Sequence, residues 1–143
     1  MEEKVSAARA MHLVRRQRHS FLNHLQVISG WLQLDRPDRA RQYLETIAAH
    51  MSAESQALKQ ATAPLGLHML ELDLEAETHG VHLEWRVEGA VESLTDSAAA
   101  DLHQTVLVCL KASSMQVSDD RRITVHLTAD GFAVHTPSDV TEE

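Results

Sequence analysis

The stretch RRQRHSFLNHLQVISGWLQL, residues 15–34, decides the architecture of the N-terminal half. Phe21, Leu25, Ile28 and Leu32 recur at 3/4 spacing, and the series continues upstream through Val14 and Met11, with Arg18 in the position it skips. That period is helical. No proline or glycine interrupts it before Gly30, which a helix tolerates at a cost of about 1 kcal/mol relative to alanine. The spacing predicts one long helix from Glu2 to about Leu34.

Downstream, LDRPDR ends that helix and opens a second, because Pro37 suits a first turn and Asp35 or Asp38 suits a helix N-terminus. The second helix is expected over Pro37–Lys59, with Ala40, Leu44, Ile47, Met51 and Leu58 as its stripe. A short link between two amphipathic helices makes an antiparallel hairpin. Two helices alone leave part of each stripe in water, and pairing two hairpins into a four-helix bundle removes it, so a homodimer is expected.

After Ala61 the pattern changes. Pro64 opens a third leucine-rich helix closed by Gly80, and VHLEWRV (residues 81–87) alternates as a half-buried strand does. A fourth helix is expected from Thr95 to Met115 with Leu102, Val106, Cys109 and Leu110 inward; ITVHLTADGFAVH then reads as a hairpin turning at Asp130-Gly131, with His126 opposite His135. Two imidazoles without a third ligand do not make a metal centre, and none is expected. The fold class is therefore α+β: a helical hairpin over residues 1–62 and a small α/β unit over 63–143, its tail from Pro137 polar and loosely held.

Composition narrows the function. Apolar residues at 43% and charged residues at 24% are globular values, and the 3% aromatic content leaves a core of aliphatic side chains. The lone Cys109, among Val106, Val108 and Leu110, reads as a buried inert thiol in a reducing compartment. No apolar run reaches the roughly 20 residues of a membrane span, and the N-terminus has no secretory hydrophobic region, so a cytoplasmic protein with no membrane partner is expected. A net charge of −8 disfavours nucleic acid. That charge is unevenly spread: residues 1–41 hold 8 of the 13 Lys/Arg and 4 of the 21 Asp/Glu. A basic helical surface stands apart from an acidic remainder.

On the first helix, His19, Asn23 and Gln26 fall at i, i+4 and i+7 and share a polar face, away from the apolar series. Arg15, Arg16 and Arg18 lie within one turn of His19. Neutral imidazole is a nucleophile near pH 7, nearby guanidinium groups attract phosphoryl oxygens, and Asn23 can orient a partner without adding charge. By itself the pattern also fits plain solvated surface, the reading given to His24 and to His12, His50, His68, His79, His82 and His103.

RHSFLNHLQVISGWLQL resembles the helical phosphotransfer region of the sporulation initiation phosphotransferase B family, which is similar in turn to sensor histidine kinases of the citrate/fumarate type. The shared pattern is Arg-His-Asp-aromatic-x-Asn followed by Leu-Gln-x-Ile-x-Gly-x-Leu-x-Leu. It is matched here at Arg18, His19, Phe21, Asn23, Leu25, Gln26, Ile28, Gly30, Leu32 and Leu34. The resemblance implies that His19 is a phosphoacceptor, that the hairpin dimerises into a four-helix bundle, and that the C-terminal unit is a degenerate relative of the kinase ATPase domain. It implies partners as well: receiver domains of response regulators, which bring the Mg²⁺, so that this chain binds no cofactor itself. Ser20 departs from the pattern, standing where the family carries the acid that assists autophosphorylation. The kinase asparagines are missing from LVCLKASSMQ, and HTPSDVTEE has no glycine loop for adenine. The expected activity is transfer from aspartyl phosphate to histidine to aspartate, not ATP-dependent kinase activity. The alternative is a non-catalytic dimeric scaffold or inhibitor of a regulator.

Overall fold

A computed structural model describes residues 2–89, 95–113 and 122–136. The elements run α1 (Glu2–Gln33), α2 (Pro37–Lys59), α3 (Ala63–Thr78), β1 (His82–Val87), α4 (Asp96–Ser113), β2 (Arg122–Thr128) and β3 (Gly131–His135). The α+β class holds: the described residues form four helices and one small sheet. The expected loose tail from Pro137 lies outside the described residues. No described helix is long and apolar enough to cross a membrane.

The chain divides into two compact units, residues 1–52 and 53–143. The division falls within α2, because Ala57 and Leu58 in its last turns belong to the core of the second unit. The sequence break expected at 62/63 marks instead the start of α3, where the Thr62 side chain accepts from Leu65 N–H.

In the first unit, α1 ends on Asp35, which takes a left-handed φ of 58°. Arg36 N–H bonds to Trp31 carbonyl at 2.9 Å and Asp35 N–H to Leu32 carbonyl at 3.1 Å, the paired bonds that close a helix on a left-handed residue. Of the two aspartates considered for the next helix start, Asp35 thus terminates α1. Asp38 sits in the first turn of α2, and the Arg36 side chain bonded to it holds its carboxyl below the usual range.

The second unit is a two-layer arrangement. β1 and β2 pair in parallel and β3 joins β2 antiparallel, giving the order β1-β2-β3. The parallel pair requires a crossover, which contains α4. Leu83, Ile123, Val125 and Leu127 alternate onto the buried face and meet Leu65, Met69 and Leu72 of α3 with Leu102, Val106 and Leu110 of α4 in one aliphatic core. Cys109 lies on the flank of α4, half-buried against that core and not within it, while the adjacent Val108 is exposed.

The terminal hairpin corrects the register read from the sequence. Thr128 pairs with Gly131, so the loop residues are Ala129 and Asp130, and His126 faces Ala133 while His135 faces Thr124. Gly131 opens β3 at a φ of 152°, which glycine adopts without the Cβ penalty. The change shifts each partner by two residues and preserves the faces, so the His126 and His135 rings still meet diagonally, 5.9 Å apart edge to face.

Candidate functional site on helix α1

An α-helix turns about 100° per residue, so α1 carries three distinct faces. The inner one holds Leu13, Ser20, His24 and Trp31, at successive spacings of 7, 4 and 7; all four are buried or half-buried. The second is the apolar series. Met11, Val14, Phe21, Leu25 and Leu32 are all exposed in the single chain, Leu25 at 60% and Phe21 at 43%. On α2 the division repeats: Ala40, Tyr43 and Ile47 are covered, whereas Leu44 and Met51 are exposed. The stripes read from the sequence are therefore largely the faces that the hairpin leaves uncovered.

His19 belongs to the third face, roughly a third of a turn from each of the other two. Its imidazole is exposed and makes no hydrogen bond or ion pair among the described residues. Asn23 and Gln26 follow on the same side, both exposed. Arg15 and Arg16 precede His19 by four and three residues, Arg15 exposed and Arg16 half-buried. Arg18, also exposed, projects from the apolar flank, in the position the stripe skips. The structure thus groups Arg15, Arg16, His19, Asn23 and Gln26 along one helix side and sets Arg18 apart.

Such an arrangement offers an accessible imidazole with cationic side chains one turn toward the N-terminus and two amides toward the C-terminus. It suits a doubly or triply charged oxyanion brought to the ring by another molecule. The helix supplies rigidity, and its inner face meets α2 where His24 bonds to Tyr43 and Trp31 lies under Arg39.

The burial of two polar groups beside this face, Ser20 and His24, is not what the sequence suggests. Ser20 is 9% exposed, and its Oγ lies 3.4 Å from Nε2 of His24. His24 Nδ1 in turn lies 2.6 Å from the hydroxyl of Tyr43 on α2. His24 therefore ties the two helices together and is not plain surface. Its position seven and eleven residues from Gln17 and Leu13 signals the inner face, but a histidine carries no hydrophobic mark to reveal that.

Residues 1–60 match the family model described as sensor kinase SpoOB-type, alpha-helical domain. The helical hairpin is thus similar to the SpoOB-type alpha-helical domain. Similarity reaches beyond the matched residues: the chain is 29% identical over 122 residues to sporulation initiation phosphotransferase B of Bacillus subtilis (strain 168). That alignment takes in 84% of this chain and 62% of the relative, so the chain spans about three-fifths of the length of the curated protein it matches. Within the matched residues, the helix side bearing His19 carries an exposed imidazole flanked by cationic and amide side chains.

Away from the domain, two further polar clusters occur in the second unit. His68 on α3 and His103 on α4 bring their Nδ1 atoms within 2.9 Å. Asp73 on α3 is buried, with Oδ1 accepting from Trp85 Nε1–H at 2.8 Å and Oδ2 lacking a hydrogen-bond partner.

Proposed function

We propose that this chain is a histidine phosphotransferase of a two-component phosphorelay, shuttling a phosphoryl group between response-regulator aspartates through His19. The observation that carries the reading is the outward imidazole of His19 on a SpoOB-type helix, with Arg15 and Arg16 one turn before it and Asn23 one turn after. The relative's name, a phosphotransferase, supports the same reaction class.

In the forward step, the lone pair of a neutral His19 ring nitrogen attacks the phosphorus of an aspartyl phosphate on a receiver domain. The P–N bond forms as the P–O bond to the aspartate breaks; the carboxylate departs with the electron pair, and the imidazole's other N–H releases its proton to solvent. Transfer to a second receiver reverses these events. Mg²⁺ bound in the receiver's acidic pocket screens the oxygens, and Arg15, Arg16 and, from the flank, Arg18 complement the acidic rim. Asn23 and Gln26 orient the docked receiver by hydrogen bonds. This chain holds no cofactor of its own in the proposal.

The rest of the molecule serves that step. A second copy covers the exposed stripes of α1 and α2, making a four-helix bundle from which His19 still projects, since it lies off the stripe. The second unit is read as a degenerate ATPase-like domain that orients or recognises the partner, a reading supported by its mixed sheet backed by helices. Its setting is the cytoplasm, where receiver domains reside.

Incubation with a phosphorylated receiver domain tests the proposal. Wild type should acquire an acid-labile, base-stable phosphate, and His19→Ala none. Persistence of the label in His19→Ala removes the relay. Receiver binding without labelling of wild type identifies a scaffold instead.

A further inference from the structure

We infer that Ser20, His24 and Tyr43 form a positioning network that fixes the rotation of α1 and so presents His19 to its partner; the inference rests on the reading of His19 as phosphoacceptor. Three observations converge on it. The His24–Tyr43 bond joins α1 to α2 at 2.6 Å, in the half of the hairpin nearer its turn. Ser20, the residue next to His19, is 9% exposed and lies 3.4 Å from the other nitrogen of the same ring. The two rings are tilted by 50° at 5.7 Å, so their contact is made through the polar edge and not by stacking.

A neutral imidazole has one donor and one acceptor nitrogen. Phenol is the stronger donor of the two hydroxyls, so the proposal assigns Tyr43 O–H as donor to Nδ1 and the ring proton to Nε2, directed at Ser20 Oγ. Donation thus runs from α2 through His24 to the backbone segment carrying His19. Aliphatic contacts between helices tolerate small rotations, whereas a chain of directional bonds does not. Most of the apolar series of α1 lies on its uncovered flank, so on the inner face the polar groups share with Leu13 and Trp31 the setting of the helix azimuth. Turning α1 enough to break the network would swing His19 by the same angle. An aspartate at position 20 would face inward against His24, and serine fits there as a neutral acceptor.

Ser20, His24 and Tyr43 are positioning residues: none touches the phosphoryl group. Tyr43→Phe deletes one oxygen and keeps the ring, and Ser20→Ala makes a smaller change at the other end. Single-turnover transfer is measured for the full chain, using a receiver domain charged with a small-molecule phosphodonor. Tyr43→Phe should lower the rate at saturating receiver by about tenfold, the scale of a slight misplacement of a reacting atom, with the half-saturating receiver concentration unchanged. Ser20→Ala should do the same to a smaller degree. Direct labelling of His19 by phosphoramidate, a small donor needing no alignment, should match wild type in both variants. Nitrogen NMR should show His24 protonated on Nε2 in wild type and losing that preference in Tyr43→Phe.

A wild-type saturating rate in Tyr43→Phe overturns the positioning role, as does a rate loss matched by an equal loss of phosphoramidate labelling. Absence of receiver transfer to wild type itself removes the phosphorelay reading and the positioning role together, which separates the two failures.

Discussion

Asp73 couples the stability of the second unit to pH. Its side chain is 8% exposed, Trp85 Nε1–H satisfies one oxygen and the other has no hydrogen-bond partner. Burial first, then Glu54, whose carboxylate can bond to Asp73 only when one of the two is protonated, and last the charge of Glu77 push its pKa well above the ordinary aspartate value, against the opposing pull of Trp85. The folded protein therefore holds a proton that the unfolded chain releases. Below the unfolded pKa both states are protonated and the contribution is fully present; as pH rises toward the raised folded value, stability is lost. Asp73→Asn keeps an acceptor for Trp85 and cannot ionise. In a Trp31→Phe background, urea unfolding followed by Trp85 fluorescence should show Asp73→Asn more stable than its parent by roughly 1–3 kcal/mol at pH 8. The gap should close toward pH 4. An equal gap at both values would show that ionisation of Asp73 is not the cause.

Helix α1 shows what sequence periodicity can and cannot convey. The positions of the helices were legible: the breaks at Pro37, Pro64 and Gly80 punctuate the chain where the elements change. The inner face of the hairpin was not. Hydrophobicity marks Phe21, Leu25 and Leu32, yet these face outward in the single chain, and the seam includes Ser20, His24 and Tyr43, whose burial depends on one another and on no property of each alone. The β-hairpin register failed for a related reason. Asp-Gly is a strong turn signal, but Gly131 can also open a strand at its unusual φ, and alternation of faces is the same in either register. His19 was legible as exposed because its polar neighbours recur at helical spacing. Its role needed the family pattern. Gly30 provides a test within this helix, since a Cβ there would meet nothing within 4 Å. Gly30→Ala should raise the thermal stability of α1 by up to about 1 kcal/mol, read from helical circular dichroism. A loss of stability would mean that this position packs against something absent from the single chain.

On the proposed reading, the charge split and the uncovered stripes serve two different partners on two different sides of the hairpin. Residues 1–41 carry the basic excess on a chain of net charge −8. A receiver's acidic pocket would be drawn to that end, so the second-order transfer rate should fall as salt rises while the saturating rate stays constant. An unchanged second-order rate between low and high salt would show that charge does not steer the encounter. The apolar flank is neutral to that field and is suited to a second copy, whose own stripe matches it by symmetry. Burying a leucine contributes roughly 1.5–3 kcal/mol, and each interface residue occurs twice in a dimer, so one charge placed there should dissociate it. Leu25→Glu is expected to sediment as a monomer at concentrations where wild type is a dimer. Val108→Glu, equally exposed in the chain but on α4, should leave the dimer intact. His19→Ala should also remain dimeric, because the imidazole lies off the stripe; a monomeric His19→Ala would place the ring inside the interface, where no receiver could reach it. Leu25→Glu persisting as a dimer would assign the exposed stripe to some other contact and leave the bundle without its seam.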